Sequence, residues 1–296
     1  MSAIKQRLKN IKKAVSEYGK FRAYKKSDRK VTKKCRELGV KTQHDFPADR
    51  TRASETLFVL GSGGSINELT EAQWRQIRGS DSCGINFWHL HPHVPNYYIY
   101  EFPYQMHPHR SESMLHNHAV LRDRYASSHI IAKGDLENLR RDSLFGGEHY
   151  YYFNPMNGPR SLVHGFRLFD LLGLFARRSR LGHSFQWRST VSFAIFMAVV
   201  LGYKEIVLCG VDLNDTRYFF EEPEFQEKHL DPELMVPQKV QNGQVHTTND
   251  PEKRSITVSD IMYFLHERLL PQKGIKLYVG SEQTALFPRI PVYFSR

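Results

Sequence analysis

Leu57-Phe58-Val59-Leu60-Gly61-Ser62-Gly63-Gly64-Ser65 is an apolar run that breaks into a glycine turn, and Ile66-Asn67-Glu68-Leu69 follows with helical composition. Strand, turn and helix start, in that order, open a parallel α/β sheet. Glycines in such a turn let backbone N–H groups approach a phosphate because no Cβ intervenes. The spacing is not that of the dinucleotide fingerprint and no P-loop lysine follows, so neither NAD nor ATP is indicated. A tight turn that holds no ligand is the alternative.

Working outward, Cys83-Gly84-Ile85-Asn86-Phe87 and Tyr97-Tyr98-Ile99-Tyr100 read as the next strands, the second rich in aromatic and β-branched residues. Asn86 and Glu101 stand at their carboxyl ends. Ligands of open parallel sheets bind beyond that edge, so Ser62, Asn86 and Glu101 are expected to line one crevice. Farther along, residues 161–182 mix Leu and Phe with Arg in helical fashion, and Thr190–Leu201 is an almost continuous apolar helix. Glu205-Ile206-Val207-Leu208-Cys209-Gly210-Val211-Asp212 then reads as a buried parallel strand with polar residues at its end. Residues 258–270 return to helical spacing and 275–279 form a last strand. Residues 214–255 are polar, rich in Pro, Gly and Asn, and too long for an ordinary connection, which marks a lid. The expected fold is α/β: a Rossmann-like, doubly wound parallel sheet with helices on both faces and a lid.

The charge is unevenly placed. Of the formal +11 in 296 residues, all sits in residues 1–34, with thirteen basic side chains against two acidic, Glu17 and Asp28; the other 262 residues balance 29 against 29. A neutral body excludes a basic nucleic-acid-binding body and moves any electrostatic partner to the N-terminus. There Ile4, Leu8, Ile11, Val15 and Tyr18 fall on one helical stripe among lysines, a basic amphipathic helix suited to an anionic membrane surface. A solvated helix or an oligomer contact is the other use of it. The arm lacks aromatic residues interleaved for base stacking, so RNA is not expected. Residues 41–53 read as a linker, which divides the chain into an arm and linker over 1–53 and a body over 54–296.

No stretch of 18 apolar residues and no signal peptide is evident, so the expectation is a cytoplasmic chain, peripheral at the inner face of the plasma membrane. Cys35, Cys83 and Cys209 are too few and too scattered for a disulfide framework and read as reduced thiols. His89, His91 and His93 would share one face of a strand, as zinc ligands can. Pro92, Pro95, Pro103 and Pro108 interrupt that strand, and with His107, His109, His116 and His118 these are expected as loop histidines on a binding surface.

The run Leu201-Gly202-Tyr203-Lys204-Glu205-Ile206, continuing through Gly210-Val211-Asp212, resembles a stretch of the bacterial sialyltransferases of glycosyltransferase family 42, which modify surface oligosaccharides. Residues 59–65 look like that family's Gly-Asn-Gly-Pro-Ser turn, Asn86 matches its strand-end asparagine, Arg188-Ser189-Thr190 resembles its arginine-led helix start, and residues 275–278 match its last strand. Family 97 sialyltransferases are an equally close home. The resemblance implies an inverting, metal-independent transferase with a variant glycosyltransferase-A fold that uses CMP-sialic acid as donor and a terminal sugar, of galactoside type, as acceptor. Gly61, Ser62 and Gly63 would approach the nucleotide phosphate and Asn86 the nucleotide. Gly210 and Asp212 would hold cytidine or ribose, Thr190 would contact the donor, and Arg188 would organise that corner.

Departures are visible. Asn214 stands where the family has a tyrosine, which leaves Tyr218 to steady the leaving phosphate, and Glu101 replaces an asparagine and is expected to face ribose or acceptor. The family keeps its catalytic histidine in the lid. His246 is the counterpart favoured here as general base, with His229 as rival. Transfer of Kdo from CMP, a metal-dependent transferase using Asp212 and Asp215, and a membrane-associated binding protein without catalysis are the competing readings.

Overall fold

The computed structural model describes residues 3–49, 51–102, 108–158, 162–215, 217–222, 248–252 and 255–294. Its elements are α1 Ala3–Glu37, β1 Thr56–Leu60, α2 Glu71–Arg78, β2 Asp81–Ile85, β3 Tyr97–Glu101, α3 Pro108–Leu121, β4 His129–Lys133, α4 Leu136–Leu139, β5 Tyr150–Tyr152, β6 Met156–Asn157, α5 Leu162–Leu171, β7 Phe185–Gln186, α6 Thr190–Leu201, β8 Glu205–Cys209, α7 Val258–Phe264 and β9 Lys276–Val279. Seven strands form one parallel sheet in the order β5-β4-β3-β2-β1-β8-β9, and β6 pairs with β7 separately. The chain winds outward from β1 to β5, then returns to the other side of β1 for β8 and β9. The strand order reverses between β1 and β8, and this switch point is where an open α/β sheet offers a crevice.

Strand alternation divides the core. Leu57 and Val59 of β1 face one cluster with Phe21 of α1, Phe166 of α5, Phe193 of α6 and Ile261 of α7. Phe58 and Leu60 face the other, with Ile77 of α2, Met114 of α3 and Leu139 of α4. Both faces of the sheet are therefore covered, as expected for parallel strands. Every residue of α6 is buried, which explains why its sequence has no polar face. Gly202 ends it in the left-handed region at φ 84°, with its N–H on Ala198 O. The three cysteines are free and buried. None of the described helices is long and apolar enough to cross a membrane.

Besides residues 161–182, where the expected helix ends at Leu171, three regions differ from the sequence reading. Residues 41–48 are packed rather than linker-like: Thr42, Gln43, Phe46 and Ala48 are buried, and Thr42 bridges to Tyr152 at the sheet edge. The helix of the arm continues to Glu37 and docks. Glu17, Phe21, Tyr24, Asp28 and Cys35 recur at helical spacing and are buried. At 3.6 residues per turn that face lies about 130° round from the Ile4–Tyr18 stripe. On the stripe, Val15 and Tyr18 are 65% and 46% exposed; Ile4, Leu8 and Ile11 lie outside the residues whose side chains are described.

The histidines are the third difference. His89 and His91 are buried, and His118 is buried on α3 rather than in a loop. His91 stacks on Trp88 and Trp74, with ring centroids 4.4 and 4.9 Å away. Aromatic neighbours explain their position: the rings fill core volume instead of gathering round an ion.

Candidate functional site

A cavity of about 300 Å³ opens at the switch point between β1 and β8. Gly61, Ser62 and Gly63 line it from β1, Gly210 and Asp212 from β8, Asn86 and Glu101 from the ends of β2 and β3, and Arg188 and Thr190 from the start of α6. Tyr218 completes the wall. Of the residues named from sequence, Asn214 stays out: its side-chain amide donates to Gln283 O at 2.8 Å, and it lines a neighbouring cleft with Glu221. His246 and His229 lie outside the described residues. The chain rejoins the cavity wall at Thr248.

The glycines work differently from a phosphate cradle. Gly61, Gly63 and Gly64 donate their N–H groups to Cys209 O, Gly210 O and Arg217 O at 2.7, 2.9 and 3.1 Å. Ser65 N–H and hydroxyl donate to the Asp212 carboxylate at 3.1 and 2.5 Å. Within the turn this leaves the Ser62 amide for a ligand. A Cβ on Gly61 would run into Gly210 O, and one on Gly63 into the Asp212 carboxylate. Here the glycines let the loops after β1 and β8 cross in contact, and they shape the cavity floor.

Asp212 is buried, and burial pushes its carboxyl pKa up, opposed by the two Ser65 hydrogen bonds. Asp215 is taken by Arg217, at 2.8 and 2.6 Å. The two aspartates of the metal-dependent reading are thus engaged by different partners.

Asn86 is held at both ends. Its side-chain oxygen accepts from Thr190 Oγ1 at 3.1 Å, and its carbonyl accepts from the Tyr98 hydroxyl at 2.7 Å. Among the described residues the Asn86 side-chain NH₂ makes no hydrogen bond. Behind it, His118 Nε2 and His89 Nδ1 approach the same Tyr98 hydroxyl at 3.3 and 2.9 Å, and His118 Nδ1 lies 2.8 Å from Asp142 Oδ2. Burial raises the Asp142 pKa, but His118 and the Tyr100 hydroxyl outweigh it and hold that carboxyl below its usual range. His89 is pushed well below by burial and then by His118. The neutral ring donates from Nδ1 to Tyr98, leaving Nε2 a buried lone pair.

Three described residues other than glycine have positive φ, namely Asn86 at 55°, Arg188 at 58° and Leu213 at 63°, and all three line the cavity. Asparagine tolerates that conformation; for arginine and leucine it costs about 1–2 kcal/mol each. Backbone strain gathered at one cavity marks a functional place. Arg188 is exposed, and among the described residues its guanidinium has no hydrogen-bond or ion-pair partner, so a cation is available to an anionic ligand. Glu101 is neutralised by Lys133 at 2.6 Å. Tyr218 stacks on Phe220 at 5.0 Å and meets Phe87 edge-on, which fixes its ring.

Sequence reasoning missed Leu213, Phe87, Gln186 and Arg217 in this wall. Leu213 carries no sequence signal, because only its φ singles it out. Comparisons of the chain with protein-family models, with curated proteins and with solved structures find no match.

Proposed function

We propose that the protein is an inverting, metal-independent glycosyltransferase that moves sialic acid from CMP to a hydroxyl of a terminal sugar, on a variant glycosyltransferase-A fold with residues 214–255 as lid. The observation that carries this reading is the switch-point cavity, lined by Arg188 and the side-chain amide of Asn86, neither with a hydrogen-bond acceptor among the described residues, and by the ring of Tyr218. The donor is an anion twice over, through its phosphodiester and its sugar carboxylate, and Arg188 supplies the complementary charge. Asn86 and Thr190, tied to each other, orient the nucleotide. Gly210 and Asp212 border cytidine or ribose.

In the reaction the acceptor oxygen attacks the anomeric carbon, the bond from that carbon to the phosphate oxygen breaks, and CMP leaves with the electron pair. Tyr218 hydrogen-bonds the departing phosphate. His246 takes the acceptor proton, a task suited to a group that titrates near neutrality; in sequence it precedes the cavity residue Thr248 by two positions. Glu101, balanced by Lys133, faces the acceptor side.

The acceptor glycan is membrane-linked in this reading, and the exposed Val15 and Tyr18 face of α1, with its lysines, meets the anionic inner surface. Because the rest of α1 is docked, the clean test removes residues 1–16, which carry Val15 and five of the arm's thirteen basic side chains: vesicle binding should weaken while transfer to a soluble acceptor persists.

The deciding experiment incubates the protein with CMP-sialic acid or CMP-Kdo and a panel of galactosides. Sialyl transfer that survives His229→Ala and disappears in His246→Ala, with CMP binding retained, supports the assignment. Transfer from neither donor sinks it, and Kdo transfer alone moves the donor to the other CMP-linked 2-keto acid.

A further inference from the structure

Away from the cavity, Asp28, His44 and His183 bring one carboxylate and two imidazoles together where α1 meets the body, with one ligand atom of each within 4.8 Å of the others. Asp28 sits on the docked face of α1, His44 in the segment that follows it, and His183 two residues before β7. His44 Nε2 and His183 Nδ1 approach the same oxygen, Asp28 Oδ2, at 2.6 and 3.2 Å. The two rings meet edge to face with centroids 5.1 Å apart.

We propose that Asp28, His44 and His183 bind a divalent transition metal, zinc before others, and that this ion fastens α1 to the body. The donor set is suitable, since two imidazoles and a carboxylate are three protein ligands of an open zinc site. The spacing is close as well. Tetrahedral ligands at zinc bond lengths stand about 3.3 Å apart, so the present separations need shifts below about 1 Å.

The carboxylate is also oriented from behind. Its other oxygen, Oδ1, accepts from the Gln43 and Asn154 side-chain amides at 3.3 and 3.1 Å, as outer groups hold a metal-bound carboxylate. Asp28 itself is 2% exposed, whereas the His44 and His183 side chains are 26% and 28% exposed. An ion can therefore enter from solvent past the imidazoles and keep a water as its fourth ligand. Phe21 and Tyr24 pack edge-on against His183 at 6.0 and 5.7 Å, which fixes that ring against α1. The site does not depend on the transferase reading, and its readouts are metal content and stability.

The test uses the full chain, stripped with EDTA and titrated with Co²⁺ as a spectroscopic stand-in for zinc. The expected result is one equivalent bound with a visible band of four-coordinate type, bleached by Zn²⁺, and a Tm rise of about 5 °C at zinc 100-fold above its Kd. His183→Gln should weaken zinc at least about 100-fold, since losing even an outer-shell partner costs 10–100-fold. His44→Gln, on the exposed rim, repeats the test independently of the packing around His183, and His116→Gln on the exposed face of α3 should change nothing. Uptake below about 0.2 equivalents with Tm unmoved, or undiminished binding in both His183→Gln and His44→Gln, overturns the proposal.

Discussion

Asp142 and Asp28 are both buried carboxylates approached by imidazole nitrogens, His118 at 2.8 Å in one case and His44 and His183 at 2.6 and 3.2 Å in the other. Their surroundings differ. Around Asp142 the partners are His118, the Tyr100 hydroxyl and the Leu144 N–H, all in the dry interior, and the network ends through Tyr98 on the carbonyl of Asn86 at the cavity. Around Asp28 the imidazoles reach solvent. A sealed carboxylate braces a left-handed residue at the cavity; a carboxylate with a wet rim can receive an ion. In both, burial alone would raise the carboxyl pKa and hydrogen bonding reverses it, so chemistry near the two groups is set by partners rather than depth.

The comparison breaks most visibly at Asp142. Asp142→Ala leaves His118, Tyr100 and Leu144 without their acceptor where no water can substitute, a loss of about 3–5 kcal/mol in urea denaturation. Asp28→Ala should cost roughly half as much in the metal-free protein, because His44 and His183 turn to solvent. Equal losses would refute the distinction between sealed and wet carboxylates.

Next in size is Arg188, which is proposed to touch the donor and whose guanidinium has no hydrogen-bond or ion-pair partner among the described residues. Arg188→Gly should lower donor affinity about 10–100-fold, the worth of one charge-assisted contact of 1.5–3 kcal/mol. Its Tm should hold or rise, since glycine adopts φ 58° without strain. A loss of donor binding accompanied by an equal loss of stability would reassign Arg188 to the fold.

These residues also show what the sequence could convey. β1, β3, α6, β8 and β9 were legible as apolar or aromatic runs long enough to punctuate, and β2 only through its Cys83–Ile85 end; Ser62, Asn86 and Glu101 followed from strand ends, whereas Arg188, Thr190 and Tyr218 rested on the family resemblance. β5 was not, being only three tyrosines long, nor was β4, whose three apolar residues Ile130, Ile131 and Ala132 stand between polar ends. The docking of α1 was hidden because Glu17 and Asp28 occupy its buried face, and a helix that buries charge does not read as core. The glycine turn was found, but its use for loop crossing depends on Gly210, 149 positions away from Gly61 in the chain.

Acid should separate the buried histidines from the two carboxylates by pH. Burial depresses His91 to about 3 and His93 and His129 to about 4, from an unfolded value of 6.5, and holds His89 well below its ordinary value. The folded protein keeps these rings neutral while the unfolded chain takes up protons, so their stability is complete above 6.5 and is lost as pH falls from 6.5 toward 4. Asp28 and Asp142 are depressed below 3.8, so their share is lost only below about pH 4. Thermal unfolding followed across pH 7 to 3 should therefore fall in two stages. His93→Gln should flatten the first by up to one proton, and Asp28→Asn should alter only the second. A single acid step below pH 4 would contradict the neutral histidines.

The smallest effect is the sharpest for the cavity. Leu213 follows Asp212 in the crossing loop, is nearly buried, and holds φ 63° although leucine pays about 1–2 kcal/mol there. Leu213→Gly removes that strain and also some packing, so stability should rise by no more than about 1 kcal/mol in urea denaturation. If the strained loop shapes the floor under the nucleotide, the same substitution should weaken CMP binding severalfold in calorimetry, because a freed loop must be ordered again on binding. A more stable protein with unchanged CMP affinity would mean that Leu213 is strained by the crossing of the two loops alone. The functional weight of the positive-φ trio would then rest on Asn86 and Arg188.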